Sequence, residues 1–260
     1  MDITSSAPLN FQGDASACEK CTLSNGDVVF RKVGSASAIQ REVGQLQHLM
    51  NSSRILATPQ LLGFGDDWLV TSWLAGSNLA QQFAIAENDA DRSAICEQFG
   101  SVLCASSAIS SSVSEADDAF EDAFEAIDRM VQSNSRRVIT DPDAYTNGRA
   151  VGDVWREVVA DGADVVPEIR FVQGDWCLPN VLTGGPDASQ LGGIVDWSEA
   201  GWMDWRFCIA DGLWSIGYNS RLAAIAPAAF QRVFLDVCDV HQTSDVLVWC
   251  RKLRALQALI

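Results

Sequence analysis

Gln-Gly-Asp-Trp-Cys-Leu-Pro-Asn-Val-Leu, residues 173–182, is the stretch that decides the fold, and Gly-Ile-Val-Asp-Trp follows it at residues 193–197. Asp175 and Asn180 lie five residues apart at the mouth of a predicted hairpin. Their side chains can point into one cleft, and Asp196 returns beside them on the second strand. The sequence therefore predicts a cluster of three oxygen-bearing side chains.

This cluster has the composition that phosphoryl transfer requires. One carboxylate accepts the proton of the attacking hydroxyl, while an amide and a second carboxylate hold Mg²⁺ against the nucleotide phosphates. Hard oxygen ligands of this kind fit Mg²⁺ rather than zinc. The alternative is that these Asp and Asn residues only form turns at the ends of loops.

The two motifs, in this order and at this separation, resemble the aminoglycoside phosphotransferase and choline-kinase-like family. The family pattern runs H-G-D-x-x-x-x-N and then, after a hydrophobic stretch, I-D-W or I-D-L. The resemblance implies that Asp175 is the catalytic base, that Asn180 is a metal ligand and that Asp196 is the chief metal-binding carboxylate. It also implies ATP or GTP and Mg²⁺ as cofactors.

The amino-terminal third supplies the other parts that a kinase-like small lobe needs. Such a lobe grips the phosphates with a cation on a strand and holds that cation with a carboxylate on a helix. The predicted strand 28–33 carries Arg31 and Lys32, and the following helix carries Glu42. We favour Lys32 over Arg31 as the phosphate-gripping cation. Either cation can instead be a solvent-facing edge residue, and Glu42 an ordinary surface acid.

Two further nucleotide contacts follow from the resemblance and from position. Residues 12–16, with the single Gly13, stand where the family has its phosphate-covering loop, although a plain turn explains them equally well. The segment from Ser72 to Leu74 stands where the backbone of the hinge holds the adenine. No distinctive side chain marks either segment.

The predicted fold class is α+β, a two-lobed protein-kinase-like fold with a small sheet-plus-helix N-lobe and a mainly helical C-lobe. We expect residues 1–73 to form the nucleotide-binding lobe and residues 74–260 the catalytic and acceptor-binding lobe. Hydrophobic periodicity and turn residues predict the individual elements. The expected strands are 17–22, 28–33, 60–65, 68–73, 181–183 and 193–195, and the expected helices include 37–50, 82–86, 92–109 and 114–132.

The sequence departs from the family pattern beside the catalytic motif. Family members have His where this chain has Gln173, although a Gln amide can also hydrogen-bond the backbone. In the later pattern G-D-P-x-x-D-L-A, Asp204 matches the first acid but Cys208 stands at the second. That acid ties down the catalytic loop by accepting backbone N–H bonds, and a thiol accepts poorly. Asp211 lies about one helical turn later and is a candidate to compensate.

Charge and composition limit the partners. The formal net charge of −16 argues against nucleic acid and against an anionic membrane surface, and it suits a cationic small molecule. Acids within 114–128, together with Asp236 and Asp239, are the candidate acceptor-binding groups. The start of the sequence carries no secretory pattern and the eight scattered cysteines resemble reduced core thiols, so we expect a cytoplasmic protein.

The functional prediction is transfer of the γ-phosphoryl of ATP or GTP to a hydroxyl of a small cationic molecule, with an aminoglycoside antibiotic as the leading acceptor. One alternative is the same chemistry on choline, an amino alcohol or another antibiotic. The other is a non-catalytic nucleotide-binding protein. We expect a monomer or a weak dimer.

Overall fold

Three groups of hydrogen-bonded β-strands and a set of helices make up the described part of the chain. The computed structural model describes residues 2–9, 16–50, 57–107, 117–162, 164–184 and 190–260. Its strands are β1 Ile3–Leu9, β2 Ala17–Leu23, β3 Val28–Val33, β4 Leu61–Phe64, β5 Trp68–Ser72, β6 Ser77–Asn78, β7 Ile169–Val172, β8 Val181–Gly184, β9 Gln190–Ile194 and β10 Gly201–Asp204. Its helices are α1 Ala36–Met50, α2 Leu79–Ile85, α3 Asp89–Ser107, α4 Asp117–Asn134, α5 Val151–Gly162, α6 Arg206–Leu222, α7 Ala228–Val237 and α8 Asp245–Gln257.

An antiparallel sheet with the strand order β1-β2-β3-β5-β4 forms the first group. The tight turn between β2 and β3 is built by Asn25 and Gly26. Asn25 Oδ1 accepts the N–H of Asp27 at 3.0 Å, and Gly26 adopts a φ of +89° that other residues rarely take. The turn sets the register in which Cys18 on β2 lies opposite Lys32 on β3.

Helix α1 covers one face of this sheet. Its apolar residues recur at helical spacing, and Ile39, Val43 and Leu46 are buried. Ile39 and Val43 pack in one cluster with Leu69, the register partner of Lys32. Because side chains alternate across a strand, Lys32 points to the α1 face and Arg31 points to the opposite face.

The described residues divide into two compact units. The first comprises Met1–Asn78 and Asn180–Ala200, and the second comprises Leu79–Pro179 and Gly201–Ile260. The hairpin that carries Asn180 and Asp196 therefore groups with the amino-terminal sheet. The lobe boundary at residue 73 stays a prediction.

Within the first unit, β6, β8 and β9 form a small antiparallel sheet. Two glycines permit its close packing. Gly76 has a φ of +146°, and a Cβ added there would lie 2.0 Å from the carbonyl oxygen of Thr183. Gly193 has a φ of +144°, and its Cβ would lie 2.8 Å from the carbonyl oxygen of Ala57.

The second unit has a core of helices around the catalytic motif. Trp176 is fully buried and stacks on Phe99 of α3, with ring centroids 5.4 Å apart. Phe99 in turn stacks on Phe234 of α7 at 5.2 Å. A second cluster packs α4, α5, α6 and α8 around Trp249. The indole of Trp176 thereby anchors the loop that follows β7 to the core.

Most predicted elements are present with ends shifted by at most three residues: strand 28–33 matches β3 at both ends, and 17–22 and 37–50 each differ by one residue at one end. Strands β1, β6, β7 and β10 were not predicted. Residues 12–15 of the candidate phosphate-covering loop and the predicted helix start at Ser114 lie outside the described residues.

Among the helices of the described ranges, none combines the length and the apolarity that a membrane span requires.

Replacing Gly76 by Ala tests the close approach in the small sheet. We expect Gly76→Ala to lower the free energy of unfolding by about 3 kcal/mol, since the new Cβ meets a backbone oxygen in a conformation that only glycine adopts readily. The control is Gly26→Ala, where φ is also positive but nothing lies within 4 Å of the added Cβ. There we expect about 1 kcal/mol. Equal losses in chemical denaturation would contradict the steric account.

Candidate active site

Lys32 is the centre of the site in the first unit. Its side chain is 8% exposed, and its ammonium lies 3.2 Å from Glu42 Oε2 and 3.2 Å from Asp196 Oδ1. Strand β3 directs Lys32 to the α1 face, and Glu42 stands on the buried side of that helix next to Val43. Three of the predicted site residues are therefore brought together.

The charges of this cluster shift two pKa values. Burial by itself would lower the pKa of Lys32, but the carboxylates of Asp196 and Glu42 outweigh burial and raise the pKa above its ordinary value. Burial also raises the pKa of Glu42, against the opposing effect of the Lys32 charge and of a hydrogen bond from the Trp197 backbone N–H. When all three groups are ionised, one positive charge faces two negative charges, so the cluster can accept a further cation.

Arg31 faces the other side of the sheet. Its guanidinium pairs with Glu19 on β2 at 3.0 Å, and the side chains of the two residues are 38% and 29% exposed. The register places Glu19 directly opposite Arg31. The structure therefore brings Lys32, and not Arg31, to Asp196. The role of either cation toward a nucleotide stays a prediction.

Asp196 follows the β8–β9 hairpin in an unusual backbone conformation. Its φ is +56°, the left-handed region that non-glycine residues enter mainly where the surroundings enforce it. The surroundings are tight on both sides: Ile194 donates its N–H to Ala57 O at 3.0 Å, and the buried Trp197 donates its indole N–H to Ile194 O at 3.0 Å. Ser198 Oγ donates to Asp196 Oδ1 at 3.1 Å. The carboxylate is 37% exposed, so it remains accessible to a ligand.

Asn180 is held next to the same segment. It ends the short 3₁₀ turn Leu178–Asn180, is 9% exposed, and accepts the N–H of Val195 on its backbone carbonyl at 2.9 Å. One backbone hydrogen bond thus ties Asn180 to the residue before Asp196. The two side chains offer an amide oxygen and a carboxylate oxygen, and these hard donors fit Mg²⁺.

No group of three or more His, Cys, Asp and Glu residues suited to a metal occurs in the part of the chain that the structure describes. Proteins usually bind Mg²⁺ through one or two carboxylates together with substrate phosphates and waters. Zinc would require a set of nitrogen and sulfur ligands. Asn180 and Asp196 therefore suit a metal that arrives with the nucleotide.

Asp175 lies in the second unit, in the catalytic loop, which we define as residues 173–178 between β7 and Asn180. Gln173 is buried, and its Oε1 accepts the backbone N–H of Asp175 at 3.0 Å. Gln173 thus makes the kind of backbone contact that we expected of an amide at this position. The Asp175 side chain is 38% exposed, with Cys177 Sγ at 3.8 Å and Arg254 Nη2 at 3.9 Å.

The second acid of the family pattern is replaced by a buried neutral thiol. Cys208 on α6 is fully buried, and burial raises its pKa, so its sulfur is a weak acceptor for the N–H of Gly174. Asp211, one turn later, accepts the backbone N–H of Trp176. Asp211 therefore does tie down the catalytic loop, as its position led us to consider.

The hinge residues belong to the first unit. Ser72 ends β5; its N–H donates to Gln60 O at 2.8 Å and its Oγ accepts the N–H of Gln60 at 2.9 Å. Leu74 follows two residues later and is the side chain nearest to a Cβ added at Gly193. The structure thus places Leu74 beside the hairpin of Asp196. Adenine binding by this segment stays a prediction.

Arg254 is the residue near Asp175 that the sequence did not point out. It lies on α8, 79 residues beyond Asp175, inside an ordinary helical stretch. No motif surrounds it. Its position near Asp175 follows only from the fold, in which α8 packs against α6.

Comparisons with known proteins identify the family of the chain. The model of the phosphotransferase enzyme family APH matches residues 21–236. No curated protein sequence matches the chain. The family match confirms the family predicted from the motifs at Asp175 and Asp196.

Similar folds occur among solved structures. An aminoglycoside-3′-phosphotransferase of type VIII is 18% identical, with a TM-score of 0.70 over 96% of this chain and 93% of that chain. APH(3″)-Id from Streptomyces rimosus, in complex with ADP and streptomycin, is 15% identical, with a TM-score of 0.66 over 97% and 92%. The GDP and kanamycin complex of APH(2″)-IIIa is 16% identical, with a TM-score of 0.65 over 98% and 83%. These likenesses confirm the predicted α+β, protein-kinase-like fold class.

Nucleotide binding distinguishes the two cations of β3. We expect Lys32→Met to weaken binding of MgADP by about tenfold or more, because a charge-assisted contact to phosphate is lost and two carboxylates are left facing the anion. Arg31→Met should change the dissociation constant less than about twofold, since Arg31 pairs with Glu19 on the other face. Isothermal titration calorimetry measures both. If Arg31→Met weakened MgADP binding more than Lys32→Met, Arg31 and not Lys32 would be the phosphate-binding cation.

Proposed function

The chain belongs to the phosphotransferase enzyme family, and on that premise we propose that it transfers the γ-phosphoryl of ATP or GTP to a hydroxyl of a small cationic molecule, with an aminoglycoside as the leading acceptor. The observation that carries the proposal is the buried Lys32 ammonium, 3.2 Å from both Glu42 and Asp196. A cation so held is oriented by the protein and available to phosphate oxygens at the open side of Asp196.

Asn180 and Asp196 would hold Mg²⁺. Bound there with the nucleotide, Mg²⁺ would neutralise charge on the phosphate oxygens. Lys32 is kept in place by Glu42, and it balances part of the negative charge of Asp196 when no ligand is present. Ser72 and Leu74 would contribute the backbone that contacts the adenine or guanine base. Similar structures in complex with ADP and with GDP support both nucleotides as candidates.

Asp175 would accept the proton of the acceptor hydroxyl. Its backbone is fixed by the bond to Gln173 Oε1, and its carboxylate is 38% exposed, so an incoming hydroxyl can reach it. Asn180 follows Asp175 by five positions in the sequence.

The acceptor class rests on charge and on resemblance. The net charge of −16 favours a cationic molecule, and two similar structures are complexes with streptomycin and with kanamycin. Among the acids proposed for acceptor binding, Asp128 already accepts the indole N–H of Trp155 at 2.9 Å. We therefore look for acceptor contacts at other acids first, including Asp236 and Asp239. Choline, an amino alcohol or another antibiotic remains the alternative acceptor.

The oligomeric state, the location in the cell and the partners that the protein does not bind are also proposals. We propose that the protein acts as a monomer or a weak dimer in the cytoplasm. The negative charge supports the proposal that it binds neither nucleic acid nor a membrane surface.

Phosphoryl transfer tests the proposal directly. The assay supplies ATP or GTP with Mg²⁺ and a panel of aminoglycosides, choline and small amino alcohols, and detects the phosphorylated acceptor by mass spectrometry. We expect turnover with at least one aminoglycoside. Asp196→Ala and Asp175→Asn should each lower kcat by about a hundredfold or more, because they remove a metal ligand and the proton acceptor. Asp89→Ala is the matched control, an acid whose side chain is 80% exposed and pairs with Arg92 across one helical turn.

Each other outcome has a distinct meaning. Turnover of choline with none of any aminoglycoside would refute the leading acceptor and leave the phosphotransferase proposal standing. Mg²⁺-dependent nucleotide binding without turnover, unchanged by Asp175→Asn, would favour the non-catalytic alternative. Absence of both nucleotide binding and turnover would refute the proposed function.

A further inference from the structure

Helix α6 supplies a row of hydrogen-bond acceptors to the catalytic loop. The backbone N–H groups of Gly174, Trp176 and Leu178 point to α6, one from every second residue of the loop. Their partners are Cys208 Sγ, the Asp211 carboxylate and Ser215 Oγ, the last at 2.9 Å from the Leu178 nitrogen. The three partners lie three and four residues apart, so they share one face of the helix.

The three acceptors are unequal. The sulfur of Cys208 is a neutral, weak acceptor and the hydroxyl of Ser215 is a neutral one, whereas Asp211 is the one member of this row that can carry a charge. Asp211 is also the middle member and binds Trp176, the residue next to Asp175. The row therefore depends most on Asp211 remaining ionised and correctly oriented.

Burial works against that ionised state. Asp211 is 3% exposed, and burial, reinforced by the nearby charge of Asp175, raises its pKa to about 6. Arg254 on α8 opposes this rise, because its Nε donates to Asp211 Oδ1. A buried carboxylate deprived of such a partner would protonate or turn away from its backbone donor.

Arg254 also reaches the catalytic base itself. Its Nη2 lies 3.9 Å from Asp175 Oδ1, while its Nε binds Asp211. One guanidinium therefore stands between two carboxylates that would otherwise repel each other. The planar fork allows both contacts at once, and a lysine ammonium has no second donor arm of that kind.

We propose that Arg254 is a positioning residue for phosphoryl transfer, which holds the catalytic loop through Asp211 and thereby makes up for the weak acceptor Cys208. Arg254 does not need to touch nucleotide or acceptor for this role. The kinetic consequence rests on the proposed function. The consequence for the loop does not, since it concerns contacts within the second unit alone.

Hydrogen–deuterium exchange of the intact protein, read by mass spectrometry, tests the loop directly. We expect Arg254→Met to speed exchange about tenfold in peptides that cover residues 173–178, with little change elsewhere in the second unit. Arg254→Lys, which keeps the charge but not the fork, should give an intermediate rate, and it serves as the test variant if Arg254→Met does not fold.

Lys252→Met is the matched control. Lys252 lies on the same helix and its side chain is 10% exposed against 30% for Arg254, but it pairs with Glu157 and Asp161 of α5 at 2.9 Å and 2.8 Å. We expect Lys252→Met to lower thermal stability without changing exchange of the catalytic loop. With the acceptor found in the panel, kcat should fall about tenfold or more in Arg254→Met and partly recover in Arg254→Lys. The dissociation constant of MgADP should change less than about twofold.

Loop exchange within twofold of wild type in both Arg254 variants would overturn the proposal. A rise spread evenly over the second unit, like that of a general loss of stability, would overturn it as well. A wild-type protein without turnover on any acceptor would refute the proposed function instead, and the exchange rates would still decide the role of Arg254.

Discussion

The contact between the Lys32 ammonium and the Asp196 carboxylate is the constraint on which the first unit depends. It joins two residues that are 164 positions apart in the chain. The contact requires the register of β3, which turns Lys32 toward α1, and it requires the left-handed backbone at Asp196. It also requires the glycine at position 193, whose lack of a side chain lets the hairpin approach Ala57 and Leu74. Small local features thus serve one long-range ion pair.

That ion pair is better understood as a source of specificity than of stability. Taking three ionisable groups out of water costs more than their attraction returns in many proteins. The result here is an arrangement of one cation and two carboxylates, Glu42 and Asp196. Of the two carboxylates, Asp196 is the one open to a ligand, with a side chain that is 37% exposed. Glu42 therefore fixes the lysine, and Asp196 remains available to exchange it for another cation.

The sequence was informative where chemistry and local pattern coincide. Asp175, Asn180 and Asp196 lie in two short motifs, and the Asn25–Gly26 turn marks its hairpin, so these features were predictable. The sequence favoured Lys32 over Arg31 but could not decide between them. Adjacent residues on a strand face opposite sides, and only the register determines which of the two faces Glu42. Strand β1 could not be predicted, because its residues, Ile-Thr-Ser-Ser-Ala-Pro-Leu, lack the alternation of apolar and polar residues that marks a half-buried strand. Most of them are exposed.

The departure at position 208 shows why a motif is best judged by the hydrogen bonds it serves. An acid at that position would bind backbone N–H groups of the catalytic loop, and its replacement by cysteine suggested a weakened loop. Yet a helix repeats its face every three to four residues, so Asp211 reaches the same loop from the next turn. Moving a buried carboxylate by one turn requires a new counter-charge, and Arg254 on α8 supplies it. Because Arg254 is remote in sequence, the motif alone reveals that an acceptor is lost at Cys208. It does not reveal that Asp211, paired with Arg254, replaces that acceptor.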